Sequence, residues 1–219
     1  MKQKRILCFG DSLTFGHDPQ TCGRLPENGR WPTVMQKRLG EGYKVIEEGQ
    51  PGRTIATDDP AEGEKNGLRY IGPCLESHIP LDLVIIMLGT NDCKDKFAYS
   101  AMDIAGEMQI LLEKVLSYNR FRAEDHLKIM LICPPAISED ISRGFFGDIF
   151  DYHRAERIFR KLPDRYEELS KRYGCYYMDA SKYASVSSFD GLHLDAENQK
   201  KLGEAVAAYV LEAFGRETL

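Results

Sequence analysis

Four short stretches of the chain carry side chains that could together perform acyl transfer through a covalent intermediate. Gly10-Asp11-Ser12-Leu13-Thr14 sets a hydroxyl on a tight turn, where the glycine lets the backbone bend and Ser12 becomes a candidate nucleophile. Asp190-Gly191-Leu192-His193 places a carboxylate three residues before an imidazole. On a turn the two can face each other, the carboxylate holding the ring's tautomer while the other ring nitrogen takes a serine proton. Gly49-Gln50-Pro51-Gly52-Arg53-Thr54 could aim the Gly52 N–H into a site with no side chain intervening, and Gly89-Thr90-Asn91-Asp92 could offer a carboxamide N–H. Both are donors of the kind a developing oxyanion requires.

Each stretch alone has an ordinary explanation as well. Asp11 or Ser12 can cap a helix, Pro51-Gly52 and Asp190-Gly191 can be plain turns, Asn91 can form an Asx turn, and His193 can pack on the final helix. The remaining histidines, His17, His78, His126 and His153, have no carboxylate at a comparable spacing after a strand and read as surface or packing residues.

What joins the four stretches is the element before each. Five apolar runs have strand length: Ile6–Phe9, Tyr43–Ile46, Leu83–Leu88, Ile129–Ile132 and Cys175–Met178. Helical patterns alternate with them. Trp31–Leu39 has Pro32 in its first turn and Gly40 as a cap; Met102, Ala105, Met108, Leu112 and Leu116 recur at helical spacing behind Ser100. Phe159, Leu162, Tyr166, Leu169 and Tyr173 form a further stripe, with Pro163 marking a kink or a start, and Leu202, Val206 and Tyr209 mark a terminal helix capped by Asp195. Strands buried on both faces and alternating with helices predict a parallel sheet between two helical layers. The expected architecture is a flavodoxin-like three-layer α/β/α sandwich with a five-stranded parallel sheet, in one domain over residues 1–219. In such a sheet the site lies outside the carboxyl ends of the strands, and the reactive stretches follow the first, second, third and fifth runs. Gly144–Phe150 is too apolar for a solvated loop and reads as a pocket wall or a contact surface.

Composition limits the partners. With 219 residues, 42% hydrophobic and 29% charged, and a net charge of −5, the chain offers no basic face for nucleic acid. No apolar run approaches the roughly 20 residues that cross a bilayer, and the basic Met1–Arg5 segment lacks the rest of a signal peptide, so a cytoplasmic protein away from membranes is expected. The six cysteines lack C-x-x-C or Cys/His metal spacing, and buried free thiols are expected.

The ordered blocks Ile6–Gly16, Val45–Gly49 with Gly52-Arg53-Thr54, Leu81–Asp92 and Asp190–His193 resemble the SGNH hydrolases, also called GDSL esterases and lipases, over nearly the whole chain. Within them the sequence looks most like the bacterial arylesterase branch, some of whose members also carry out acyl transfer and perhydrolysis. It departs from that branch in Phe15, where Trp is usual, and in Gly52, where a slightly larger residue can occur. The resemblance implies Ser12 as nucleophile, His193 as general base, Asp190 as orienting carboxylate, and an oxyanion hole from the Ser12 and Gly52 N–H groups and the Asn91 side chain. It places Asp11, Lys94, Ile149, Phe150 and Leu192 near a small ester substrate, with no metal or cofactor required. Short acyl groups, acetyl above all, are expected because no long apolar lid is evident; aryl acetates, small alkyl esters and carbohydrate O-acetyl groups all fit. The apolar Gly144–Phe150 segment raises the expectation of a homo-oligomer. The rival expectation is a non-catalytic module of flavodoxin-like fold whose Ser12-Leu13-Thr14 loop binds a flavin phosphate.

Overall fold

The computed structural model describes residues 3–121 and 127–215; His126 lies outside the described residues. Five strands, β1 (Lys4–Gly10), β2 (Tyr43–Gly49), β3 (Leu83–Met87), β4 (Lys128–Cys133) and β5 (Tyr176–Asp179), form one sheet in the order β2-β1-β3-β4-β5. Every pairing is parallel. This is the flavodoxin-like strand order, with its switch point between β1 and β3.

The helices are α1 (Ser12–Phe15), α2 (Trp31–Leu39), α3 (Gly67–His78), α4 (Ala101–Phe121), α5 (Tyr152–Phe159), α6 (Leu162–Tyr173) and α7 (Ala196–Gly215). Alternation along the strands divides the core in two. Ile6, Cys8, Leu83, Ile85 and Met87 pack with Trp31, Met35, Leu202, Val206 and Val210 of α2 and α7. Their neighbours Leu7, Phe9, Val84 and Ile86 pack on the other face with Ile71 and Leu75 of α3, Ile104 and Met108 of α4, Ala155 of α5, and Leu162 and Tyr166 of α6. A parallel sheet covered on both faces follows directly from that period of two.

Several elements differ in extent from the sequence reading. β2 runs on to Gly49 through Glu47 and Glu48, which an edge strand tolerates because its side chains reach the rim. Cys175 precedes β5, and Met102 is 64% exposed, so the buried stripe of α4 begins at Ile104. The stripe around Pro163 is two helices: α5 ends at Phe159, and Pro163 sits in the first turn of α6, where its missing N–H costs no helical bond. Helix α3 has no counterpart in the sequence reading. It carries Pro73 in its interior and two glycines, which mask its periodicity, while Asn66 caps it through the Arg69 N–H. Ser100 and Asp103 bond reciprocally at the start of α4, and Asp195 accepts the Asn198 N–H at the start of α7. The thiols of Cys8, Cys74, Cys93 and Cys133 are buried and unbridged; Cys175 is half-buried and Cys22 exposed.

Candidate active site

β1 ends at Gly10, and the chain turns at once into the single turn α1. Asp11 is its N-cap, accepting the Leu13 N–H at 2.9 Å, and Ser12 is its first residue. The Ser12 hydroxyl is 3.0 Å from His193 Nε2, and His193 Nδ1 is 2.7 Å from Asp190 Oδ2. The other carboxylate oxygen, Oδ1, accepts the N–H groups of Leu192 and His193, both at 3.0 Å. Asp190 is thereby locked to the turn that carries its histidine. Burial raises the Asp190 carboxyl, but the hydrogen bond and charge of His193 outweigh it and hold the group below its usual range. Gly191 makes the turn possible: its φ is +70°, and a Cβ there would lie 2.1 Å from the Ile141 backbone nitrogen.

Gly52 lies across the cavity in the loop after β2, with φ +83°. Asn91, buried after β3, donates one Nδ2 proton to the Arg53 carbonyl at 3.1 Å, which leaves the second amide proton for the cavity that Asn91 lines. Asp92 and Glu107 clamp the loop from below. Asp92 Oδ1 accepts the Ile55 N–H at 3.0 Å and Glu107 accepts the Ala56 N–H at 3.2 Å and the Thr57 hydroxyl. Arg53 is buried, donates to the carbonyls of Gly10 and Glu48, and stacks on Phe9, so the ends of β1 and β2 share one cation.

The cavity encloses about 180 Å³. Ser12, Gly52, Asn91, Lys94, Ile149, Phe150, Leu192 and His193 all line it, which brings together every residue singled out from the sequence except Asp190, which stands behind the histidine, and Asp11. Asp11 is wholly buried, caps α1, and is not among the residues that line the cavity. Burial pushes its carboxyl up to about 6, opposed by the Leu13 N–H and by the charges of His193 and Arg53. Lys94 is buried and spans Asp59 at 2.9 Å and Glu62 at 2.8 Å, so its charge belongs to the wall.

Two further wall residues, His17 and Glu62, were not singled out as site residues from the sequence. His17 packs on His193, ring centroids 4.0 Å apart and planes tilted by 40°, which is the packing side of the surface-or-packing role expected of it, but the ring it meets is that of the site. Burial, aided by the charge of His193, lowers its pKa toward the neutral ring. Phe146 meets the edge of His193 at 5.4 Å, and Glu62 flanks Gly52. Packing in space, not spacing in sequence, identifies His17 and Glu62, whereas Phe146 falls within the Gly144–Phe150 segment. The Gly144–Phe150 segment holds a short 3-10 helix, Phe145–Asp148, and its Phe146, Ile149 and Phe150 complete the pocket, one of its two expected roles.

Comparison with known proteins agrees with this geometry. Residues 8–201 match the GDSL-like lipase/acylhydrolase family. An inhibitor-bound aryl esterase of M. smegmatis is 36% identical, with a TM-score of 0.87 over 95% of this chain and 99% of that one. A carbohydrate acetylesterase family member from Sinorhizobium meliloti is 34% identical, with a TM-score of 0.88 over 97% of this chain and 100% of that one. A search of curated proteins gives no match. The flavodoxin-like order is therefore that of a hydrolase and not of a flavin-binding module. The chain belongs to the GDSL-like lipase/acylhydrolase family, in the arylesterase branch of the SGNH hydrolases, and is a serine carboxylic ester hydrolase.

Proposed function

We propose that the enzyme hydrolyses short-chain, acetyl-type esters through an acyl-enzyme on Ser12. The observation that carries this reading is the continuous chain from Ser12 Oγ through His193 to Asp190, at 3.0 and 2.7 Å. His193 Nε2 takes the hydroxyl proton as Ser12 attacks the ester carbonyl, then returns it to the departing alcohol or phenol. Water deprotonated by the same nitrogen attacks the acyl-enzyme and releases the acid. An alcohol or a peroxide entering in place of water gives acyl transfer or perhydrolysis. The tetrahedral oxyanion is received by the Ser12 and Gly52 N–H groups and the free Asn91 amide proton. Lys94, Ile149, Phe150 and Leu192 meet the substrate, and no step calls for a metal or a cofactor.

The preference for small acyl groups rests on volume and polarity. A cavity of about 180 Å³ is smaller than the roughly 300–1,000 Å³ of sites for drug-sized ligands, and the ion-paired Lys94 and Glu62 on its wall do not welcome a long alkyl chain. That polar wall, with the likeness to a carbohydrate acetylesterase family member, also supports O-acetylated sugars as substrates. We place the enzyme in the cytoplasm, where its unbridged thiols would stay reduced; among the described residues no helix is long and apolar enough to cross a membrane. We also assign it a homo-oligomeric state, since Phe145 and Phe189 are 75% and 64% exposed; light scattering at the 24.9 kDa monomer mass would remove that assignment.

The function is tested by hydrolysis of p-nitrophenyl acetate, butyrate and octanoate by wild type and Ser12→Ala. Turnover that favours acetate over octanoate and falls to background in the variant supports the reading. Equal rates for the two proteins would overturn it.

A further inference from the structure

Outside the ester site, helix α3 brings a second set of donors together. Cys74 and His78 are four residues apart and share one face of α3, and that face lies against the end of β2, where Glu48 projects. Glu48 Oε1 is 2.7 Å from His78 Nε2, and one ligand atom each from Glu48, Cys74 and His78 falls within 4.8 Å of the others. A tetrahedral ion with bonds of about 2.0–2.3 Å spaces its ligands within that limit. We propose that Glu48, Cys74 and His78 form a binding site for a zinc-class divalent cation, separate from the esterase machinery.

The donor set selects the ion. One sulfur, one imidazole nitrogen and one carboxylate oxygen match zinc or cobalt, whereas magnesium and calcium require all-oxygen shells. Three protein ligands leave a fourth position for water. The side chains of His78 and Glu48 are 25% and 20% exposed, so the site has contact with solvent, and Glu48 also lines a groove with Gln50, Arg53, Glu64 and Tyr70. Arg53 acts electrostatically on Cys74 and Glu48 and so limits the affinity. On binding, the cation takes the thiolate of Cys74 as a ligand, and the thiol proton leaves to solvent.

The sequence reading found no metal spacing because Cys74-x-x-x-His78 supplies only two donors, and the third arrives from a strand 26 residues earlier. A second trio, His17, Asp190 and His193, also lies within 4.8 Å, so the test must separate the two. Cobalt(II) alone is titrated into the wild type, Cys74→Ala, His78→Ala and His17→Ala proteins, followed by zinc competition, with circular dichroism reporting the fold of each. The expected result is a near-ultraviolet thiolate-to-cobalt band in wild type and His17→Ala that zinc displaces. Cys74→Ala should lose the band, and His78→Ala should bind at least about 10-fold more weakly. If Cys74→Ala fails to fold, Cys74→Ser takes its place with the same expectation. A wild-type protein without the band, or zinc affinity that falls only in His17→Ala, would overturn the proposal.

Discussion

Replacing Gly52 by alanine separates an oxyanion donor from a plain turn, because two different penalties can be read from the structure. At φ +83° an L side chain costs about 1–2 kcal/mol, which at about 2–4 °C per kcal/mol for a chain of this size lowers Tm by about 2–8 °C. The new Cβ would also lie 2.4 Å from Glu62 Oε2 and 2.8 Å from its Cδ. Glu62 cannot simply swing away, since Lys65 and Lys94 each hold it at 2.8 Å. The loop must give instead, and it carries the Gly52 N–H with it. Loss of one oxyanion donor costs about 10²–10³-fold in kcat. The control is Gly174→Ala, at φ +67° with no atom within 4 Å of the added Cβ. It should show a similar fall in Tm and unchanged kcat. The assay is steady-state hydrolysis of p-nitrophenyl acetate with calorimetry on all three proteins, and Gly52→Ala/Glu62→Ala should recover part of kcat. If Gly52→Ala retains kcat within twofold of wild type while Tm falls as in the control, Gly52 is a turn residue and the oxyanion assignment is wrong.

Further outcomes follow from the same geometry. Asp190→Asn keeps the shape of the 2.7 Å contact to His193 but favours the wrong imidazole tautomer, and kcat should drop by about 10⁴-fold with little change in KM; a loss under tenfold would argue against the role. Asp11, with its pKa raised to about 6 from 3.8, retains its proton in the folded state after the unfolded chain has lost it. Stability therefore falls as pH rises from about 4 to 6, by about 3 kcal/mol, and stays lower above that window. Asp11→Asn, which can still cap α1, should flatten that portion of the Tm–pH curve. Lys94→Met strips buried Asp59 and the part-exposed Glu62 of a shared cation and should destabilise by about 3 kcal/mol, chiefly through Asp59, read as a Tm loss in calorimetry; an unchanged Tm would mean that Lys96 and Lys65 carry those carboxylates alone.

The strands and the reactive stretches were legible in sequence because both are local. Five apolar runs mark the sheet, and in a doubly wound fold the residue after a strand is a site residue by topology. That rule points to the stretches that hold Ser12, Gly52 and Asn91, each within four residues of a strand end, while His193 lies farther from β5 and the roles of all four came with the family resemblance. Helix α3 was hidden because Pro73 and its glycines break the helical period, and it stays helical through the burial of Ile71, Cys74 and Leu75 against β1 and β3. His17 was hidden as a site residue for another reason. It reaches His193 through tertiary packing between segments far apart in the chain, which no spacing records. Asp11, which the resemblance placed near the substrate, caps α1 through the Leu13 N–H, one of the two roles its position after β1 allowed.

The most direct test of the mechanism is intact-protein and peptide mass spectrometry after exposure to an organophosphate such as diethyl p-nitrophenyl phosphate, run on wild type, Ser12→Ala and His193→Ala. One phosphoryl adduct on Ser12 in wild type, none in Ser12→Ala, and strongly slowed labelling in His193→Ala is the result expected of a serine activated by the histidine 3.0 Å away. An unmodified wild type, or an adduct of equal yield in Ser12→Ala, would contradict the assignment of Ser12 as the nucleophile.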